Sequence, residues 1–326
     1  MRLLVLLGLI VAALFGASLL TGPAGAGVGE SLAALVRGEG EALVLVMREL
    51  RLPRALLGLL VGAALGLSGA ALQGYLRNPL AEPGLIGVSP AAALGAVLAI
   101  QTGLAAAFAL ALPLAAVTAA ALAVLLLIGL AGPRGAALTL ILAGVALSAL
   151  MGAATALVLN LSPNPFAVAE IVFWMMGSLA DRSMLHLWLA APIILTGAAL
   201  VAGCARGLDA LTLGEDAASA LGIDLAALRL RLVLGVAAMV GAATAVTGAV
   251  GFVGLVVPHL LRPLVGGRPG RLLPAAALGG AAVVLAADLA VRLVAPDRDI
   301  KLGVLTALVG APFFLHLVWR MRRDLA

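Results

Sequence analysis

Few side chains in this sequence could do chemistry, and their positions narrow what that chemistry would be. Asp288 is the one carboxylate inside an apolar stretch, and Arg292 follows one helical turn later. Ionisable groups are costly within a bilayer, and this spacing points to a local ion pair near the outer end of a helix. A proton-coupled pathway would want more such groups. His186, His259 and His316 stand apart from one another, so no metal-ligand cluster is readable. The single cysteine, Cys204, lies in an apolar run, has no partner for a bridge and reads as a packing residue. No nucleophile stands beside a base, and no Gly-Lys-Ser/Thr loop could cradle phosphate. The chain therefore reads as neither an enzyme of familiar type nor an ATPase by itself. If it pumps, the energy arrives from a partner.

A basic pair, Arg51 and Arg54, flanks Leu52-Pro53 at the start of another apolar helix. Pro53 suits the first helical position, which puts Arg54 in the first turn against the positive end of the helix dipole. That mismatch costs about 0.3–1 kcal/mol in exposed settings. Anchoring on lipid phosphates and a docking role both remain open at this level.

The composition supplies the setting for these residues. Of 326 residues, 64% are apolar and 11% charged, with 40 glycines and a mean hydropathy of +1.22. Soluble domains run at about 45–50% apolar and about 25% charged. Such a chain cannot be a disordered protein, a disulfide-stapled secreted domain or a water-soluble enzyme; it reads as a polytopic membrane protein. The net charge of +5 does not imply nucleic acid, because the arginines are scattered among apolar segments instead of lying in stripes with aromatics.

A bilayer crossing needs about 20 apolar residues. Ten spans are expected, at roughly 3–20, 55–75, 86–102, 106–130, 136–159, 185–204, 231–250, 251–262, 273–294 and 302–320. The first could be a cleaved leader ending at Ala24-Gly25-Ala26, but its 18 apolar residues favour a retained span. The eighth is short and carries Pro258, as broken helices that line internal cavities do. With ten crossings and a cytoplasmic amino terminus, 12 of the 20 basic residues fall inside, and both termini are placed in the cytoplasm.

Gly62-Ala63-Ala64 with Ser68-Gly69-Ala70 returns, 179 residues on, as Gly241-Ala242-Ala243 with Thr247-Gly248-Ala249. In so glycine- and alanine-rich a chain this could be coincidence; if it is a repeat, the five intervening crossings make the halves inverted. Gly58, Gly62 and Gly66 keep a four-residue rhythm that reads as close helix packing. The longest inner connection runs from about 205 to 231. Within it, Leu213 to Gly222 reads as a short helix, with Glu215 and Asp216 in its first turn and Gly222 as its stop. Its small side chains, Ala218 among them, would let it seat in a cleft on another protein.

Together these residues resemble a known family. Arg51-Leu52-Pro53-Arg54, Gly69, Gln73, Asn78-Pro79-Leu80-Ala81-Glu82-Pro83 and Gly87-Val88-Ser89 look like the signature of FecCD/BtuC-type permeases. The resemblance continues through Leu142-Ala143-Gly144-Val145, Trp174-Met175-Met176-Gly177, Leu213-Gly214-Glu215, Gly251-Phe252-Val253-Gly254-Leu255, Pro258-His259, Ala287-Asp288 and Gly303 to Pro312. It implies an all-α permease of ten helices forming one membrane domain over residues 1–326, in a homodimer around a central pathway. It further implies two cytoplasmic ATP-binding subunits, which hold the ATP and Mg, and an extracytoplasmic substrate-binding protein. The expected setting is the bacterial cytoplasmic membrane, and the expected cargo a bulky chelate: an iron-siderophore, haem or cobalamin.

Carried over by position, ATPase coupling falls on Leu213, Gly214, Glu215, Ala218, Leu221 and Gly222. The cytoplasmic gate falls on Asn78 and Leu80, and binding-protein docking on Arg51, Arg54 and Arg292. The family's second gate element, small hydroxyl residues before the fifth helix, is represented only by Thr139 beside Ala137 and Leu138. The Glu-x-Pro usual before the last helix is replaced by Asp299-Ile300-Lys301. An ion-coupled secondary transporter is the alternative reading; the scarcity of intramembrane carboxylates and the inner coupling helix speak against it.

Overall fold

A computed structural model describes residues 1–22, 26–38, 40–132, 137–294 and 300–324. Ala24 and Gly25 of the cleavage motif, Arg134, Arg298 and Asp299 lie outside the described residues, as do the side chains of Ala137, Arg320, Arg322 and Arg323.

The described chain is helical throughout. Its elements are α1 (Arg2–Leu20), α2 (Val28–Val36), α3 (Glu41–Leu45), α4 (Leu52–Tyr75), α5 (Val88–Gln101), α6 (Ala111–Ala131), α7 (Ala137–Asn160) and α8 (Pro165–Met175). After these come α9 (Met184–Ala202), α10 (Ala205–Leu211), α11 (Glu215–Ala220), α12 (Leu225–Thr247), α13 (Val253–Leu261), α14 (Pro269–Val294) and α15 (Leu302–Asp324). Seven of the helices among the described residues are long and apolar enough to cross a membrane. Val88–Gln101, Pro165–Met175 and Leu302–Leu317 are shorter apolar helices. Each of the ten expected spans has a helix in its place, although α13, at nine residues, is shorter than its expected span.

Three departures have local causes. The helix of the second span begins well before Pro53: α3 runs through a π-helical turn, Val46–Arg51, directly into α4. The wider turn absorbs the ring that would otherwise clash with the carbonyl one turn back. Arg54 is therefore not at a helix start, and the dipole mismatch expected there does not arise. Second, α12 starts at Leu225, where Asp224 accepts the Ala226 and Ala227 amides at 3.0 Å. This cap draws Arg229 and Arg231 out of the inner loop and into the helix. Third, α2 and α8 lie in connections that periodicity left blank. Asn164 starts α8 by accepting the Phe166 amide at 3.0 Å, ahead of a proline at the first helical position.

The most extensive pairing is α4 on α14. It depends on the glycine rhythm: a β-carbon on Gly62 would overlap the Gly280 carbonyl, and one on Gly66 the Ala276 carbonyl. Without water inside a bilayer to drive apolar association, such close backbone approach is what holds helices together. The sequence echo also has a spatial counterpart. α4 packs on α14 and α13, α12 packs on α6 and α5, and α5 meets α6 and α7 as α13 meets α14 and α15. Gly62 faces α14, and its counterpart Gly241 faces Ala120 of α6. Tyr75, at the end of α4, accepts a hydrogen bond from Arg229 near the start of α12 at 2.9 Å, so the two helices run in opposite directions.

Candidate functional site

The expected Asp288–Arg292 pair forms, with Arg292 Nη2 at 3.0 Å from the carboxylate. A third member joins it. Arg54 approaches Asp288 with Nη2 at 2.8 Å and Nε at 2.9 and 3.1 Å, from 234 residues away in sequence. Asp288 is 2% exposed and Arg54 22%. Arg292 also donates to the Ser18 and Thr21 carbonyls and to the Ser18 hydroxyl at 2.6 Å. Arg51 donates to the Leu19 and Leu20 carbonyls at 3.2 and 3.3 Å. Two guanidiniums thus satisfy carbonyls at the last turn of α1, where the helix dipole is negative. Arg51 is 5% exposed, and its charge is turned onto α1.

On the other face, α11 is bounded by glycine at both ends. Gly214 precedes it at φ 104° and Gly222 follows at φ 81°. The Gly222 amide bonds the Ser219 carbonyl at 2.9 Å and the Ile223 amide bonds that of Ala218 at 3.1 Å, a Schellman closure that requires left-handed backbone at Gly222. Leu213 and Leu221 are 69% and 64% exposed, and Glu215 is exposed beside them. Ala218 does not share that surface. It is fully buried against its own chain, because one face of so short a helix must rest on the body that carries it. A hollow of about 360 Å³, lined by Asp209, Thr212, Leu213 and the Gly266–Pro269 turn, lies beside this segment. Asp209 fixes it by accepting the Gly270 amide at 2.7 Å. The turn carries no motif of its own, and only folding brings it here.

The Asn78–Ser89 motif folds inward against α13. Asn78 is exposed, and its Oδ1 accepts the Leu80 amide at 2.9 Å, an Asx turn that turns the chain; Leu80 is half-buried. Thr139 is exposed on the first turn of α7 and makes no hydrogen bond to Asn78 or Leu80. Glu82 belongs to the signature stretch but was given no role by the sequence. Its Oε1 accepts the Phe252 amide at 2.9 Å, at the N-terminus of α13, where Phe252 holds φ 67°. Gln73, fully buried, donates to the Leu255 carbonyl at 3.2 Å and accepts from Arg262 at 2.9 Å. Gly69 lets α4 touch the Gly254 backbone. The scattered signature residues are therefore one joint among α4, the Asn78–Ser89 segment and α13. Replacing Glu82 by alanine is expected to destabilise the protein by about 1–2 kcal/mol through the unsatisfied amide. Thermal unfolding checks this, with glutamine, which keeps an acceptor, losing less.

Helices long enough to span a bilayer, with a short glycine-bounded helix exposed at one end and a buried arginine–carboxylate cluster at the other, define a polytopic membrane protein. Residues 8–320 match the FecCD transport family, and the chain belongs to it. It is 40% identical over 283 residues to a cobalamin import permease of Halobacterium salinarum, covering 86% of this chain and 75% of that one. It is 39% identical to a hemin transport permease of Yersinia pestis, with 84% and 83% covered. Against the Fe(3+) dicitrate permease FecD of Escherichia coli the identity is 38%, with 85% and 86% covered. A solved structure described as an inward-facing metal-chelate type ABC transporter superposes with a TM-score of 0.86 at 33% identity, covering 98% of this chain and 99% of that one. The chain is a multi-pass permease subunit of an ABC importer.

Proposed function

We propose that two copies of this chain form the pathway by which a bulky metal chelate of the haem, cobalamin or ferric-siderophore class enters a bacterial cell. Hydrolysis of Mg-bound ATP in two cytoplasmic subunits drives the step, and this chain itself binds no cofactor. The membrane is the cytoplasmic one, and both termini lie inside. The observation that carries this reading is α11 with its flanks, in which Leu213, Glu215 and Leu221 are presented outward while Ala218 anchors the helix. A helix held at both ends and exposed along its rim can transmit displacement between proteins. Asn78 and Leu80 serve as gate residues on that same face, with Thr139 at the start of α7.

The test is uptake of labelled haem, cobalamin and a ferric siderophore into liposomes holding the complete complex. ATP-dependent accumulation of one of them is expected. Uptake driven by a proton gradient without ATP would overturn the reading in favour of an ion-coupled carrier.

On the opposite face, Arg54 is the more accessible of two guanidiniums paired with one carboxylate, and Arg51 lies close by on the end of α1. Arg54 docks a carboxylate of the binding protein, while Arg51 and Arg292 reinforce the positive potential from beneath. Arg51→Glu with Arg54→Glu is expected to weaken docking mainly through slower association, and raised salt to mimic the effect in the unmodified chain. Binding-protein affinity measured at low and high ionic strength decides this. Indifference to both changes rejects the role.

A further inference from the structure

Arg229 lies in the second turn of α12 and is only partly satisfied. Its Nε donates to Tyr75, but its buried Nη1 has no hydrogen-bond partner among the described residues. The same side chain lines a hollow of about 290 Å³ among α6, α7 and α12, whose walls include Ile128, Ala131, Leu140, Ala227 and Val233. A second, separate hollow of about 300 Å³ lies next along the same faces of α6 and α12, from Val124 and Leu234 to Val117 and Gly241, with Ile193 of α9 as a further wall. End to end, from Ala226 to Gly241, the two hollows line up as a furrow of about 22 Å at the helical rise per residue. It exists because the facing positions are small: Ala120, Ala121, Ala131 and Gly132 on one helix, Ala226 and Ala237 on the other.

We propose that this furrow holds an acyl chain of an anionic phospholipid, with the lipid phosphate on the Arg229 guanidinium. The membrane face is the one that carries α11. A long apolar slot closed at one end by a cation with a spare donor matches that shape and charge. Free phosphate would leave the slot unfilled, and a helix, at about 10 Å across, is too wide for it. A zwitterionic lipid brings its own cation to the phosphate. Asp224, the nearby carboxylate on α12, is engaged by the Ala226 and Ala227 amides and does not occupy the guanidinium.

The test uses the purified full-length chain, stripped of lipid in detergent. Phosphatidylglycerol, phosphatidylcholine of the same acyl length and inorganic phosphate are added separately. Bound lipid is counted by native mass spectrometry and unfolding is followed by temperature. Phosphatidylglycerol alone is expected to bind and raise the midpoint. Arg229→Gln should weaken its retention about fivefold, the worth of one basic residue at an anionic surface. Ala226→Trp, on the exposed rim of the furrow, should do the same with the guanidinium intact. Arg231→Gln, which removes equal charge from the same helix outside the furrow, and Tyr75→Phe should retain lipid. Unchanged retention in Ala226→Trp overturns the proposal whether or not Arg229→Gln folds. So does a phosphatidylcholine or phosphate response equal to that of phosphatidylglycerol.

Discussion

Asp288→Ala is expected to destabilise the protein by about 3 kcal/mol, toward the lower end of what breaking a buried pair costs, because Arg54 keeps some contact with solvent. The carboxylate is 2% exposed and takes two arginines at once. Without it, the Arg54, Arg292 and Arg51 guanidiniums share one site with no counter-charge, and their repulsion adds to the lost hydrogen bonds. The loss should appear first at α1, whose last carbonyls are held by Arg51 and Arg292. Thermal unfolding in detergent, with accessibility labelling at Ser18, measures both effects. Pairing Asp288→Asn with Arg54→Gln should recover part of the loss, since an unpaired buried charge costs more than an absent pair. An unfolding midpoint unchanged in Asp288→Ala would show that the cluster carries no stability.

Gly222→Pro should abolish coupling while leaving the helical body folded. Proline holds φ near −65°, against the 81° required here, and removes the amide that bonds Ser219. Strain on the order of 3 kcal/mol is enough to unseat the turn that ends α11. Transport by the reconstituted complex should fall at least about tenfold, and ATP turnover should lose its response to loaded binding protein. Gly222→Ala should sit between the two. Bulky replacement of Ala218 is the weaker probe, because it strikes the packing of its own chain before it reaches any interface. Uptake and turnover unchanged in Gly222→Pro would reject α11 as the coupling element.

How much of this was readable beforehand follows from which interactions are local. Apolar runs of bilayer length, the glycine stop at Gly222 and the four-residue rhythm of Gly58, Gly62 and Gly66 are all written within one or two turns of chain. The pairing of Asp288 with Arg292 is likewise an i, i+4 relation. Arg54 reaches the same carboxylate across 234 residues, and no spacing rule carries that distance. Glu82 stood in the signature without a role because its partner, the Phe252 amide, comes from another helix start. Ala218 looked like interface for a different reason: in a six-residue helix, small residues suit either face, and only the burial decides. The π-helical turn before Pro53 hid the true beginning of that helix.

The clamp on α1 also sets an order of assembly. Ser18 and Arg292 are 274 residues apart, so α1 enters the membrane long before the second of the two side chains that hold its end exists. At about 5–20 residues per second, the interval is about 14–55 s of synthesis. Through that time α1 has lipid on most sides and only the helices already made for company; Arg51 can take its Leu19 and Leu20 carbonyls, while those of Ser18 and Thr21 wait. Its sequence suits the wait, since only 17% of it is buried even in the finished fold and its apolar surface is at home in lipid. The arrival of α14 brings Asp288 and Arg292 together, and with them the counter-charge for Arg54. The cluster is therefore the last long-range lock to close on α1, and a chain that stalls before α14 leaves Arg54 at the membrane surface without its counter-charge.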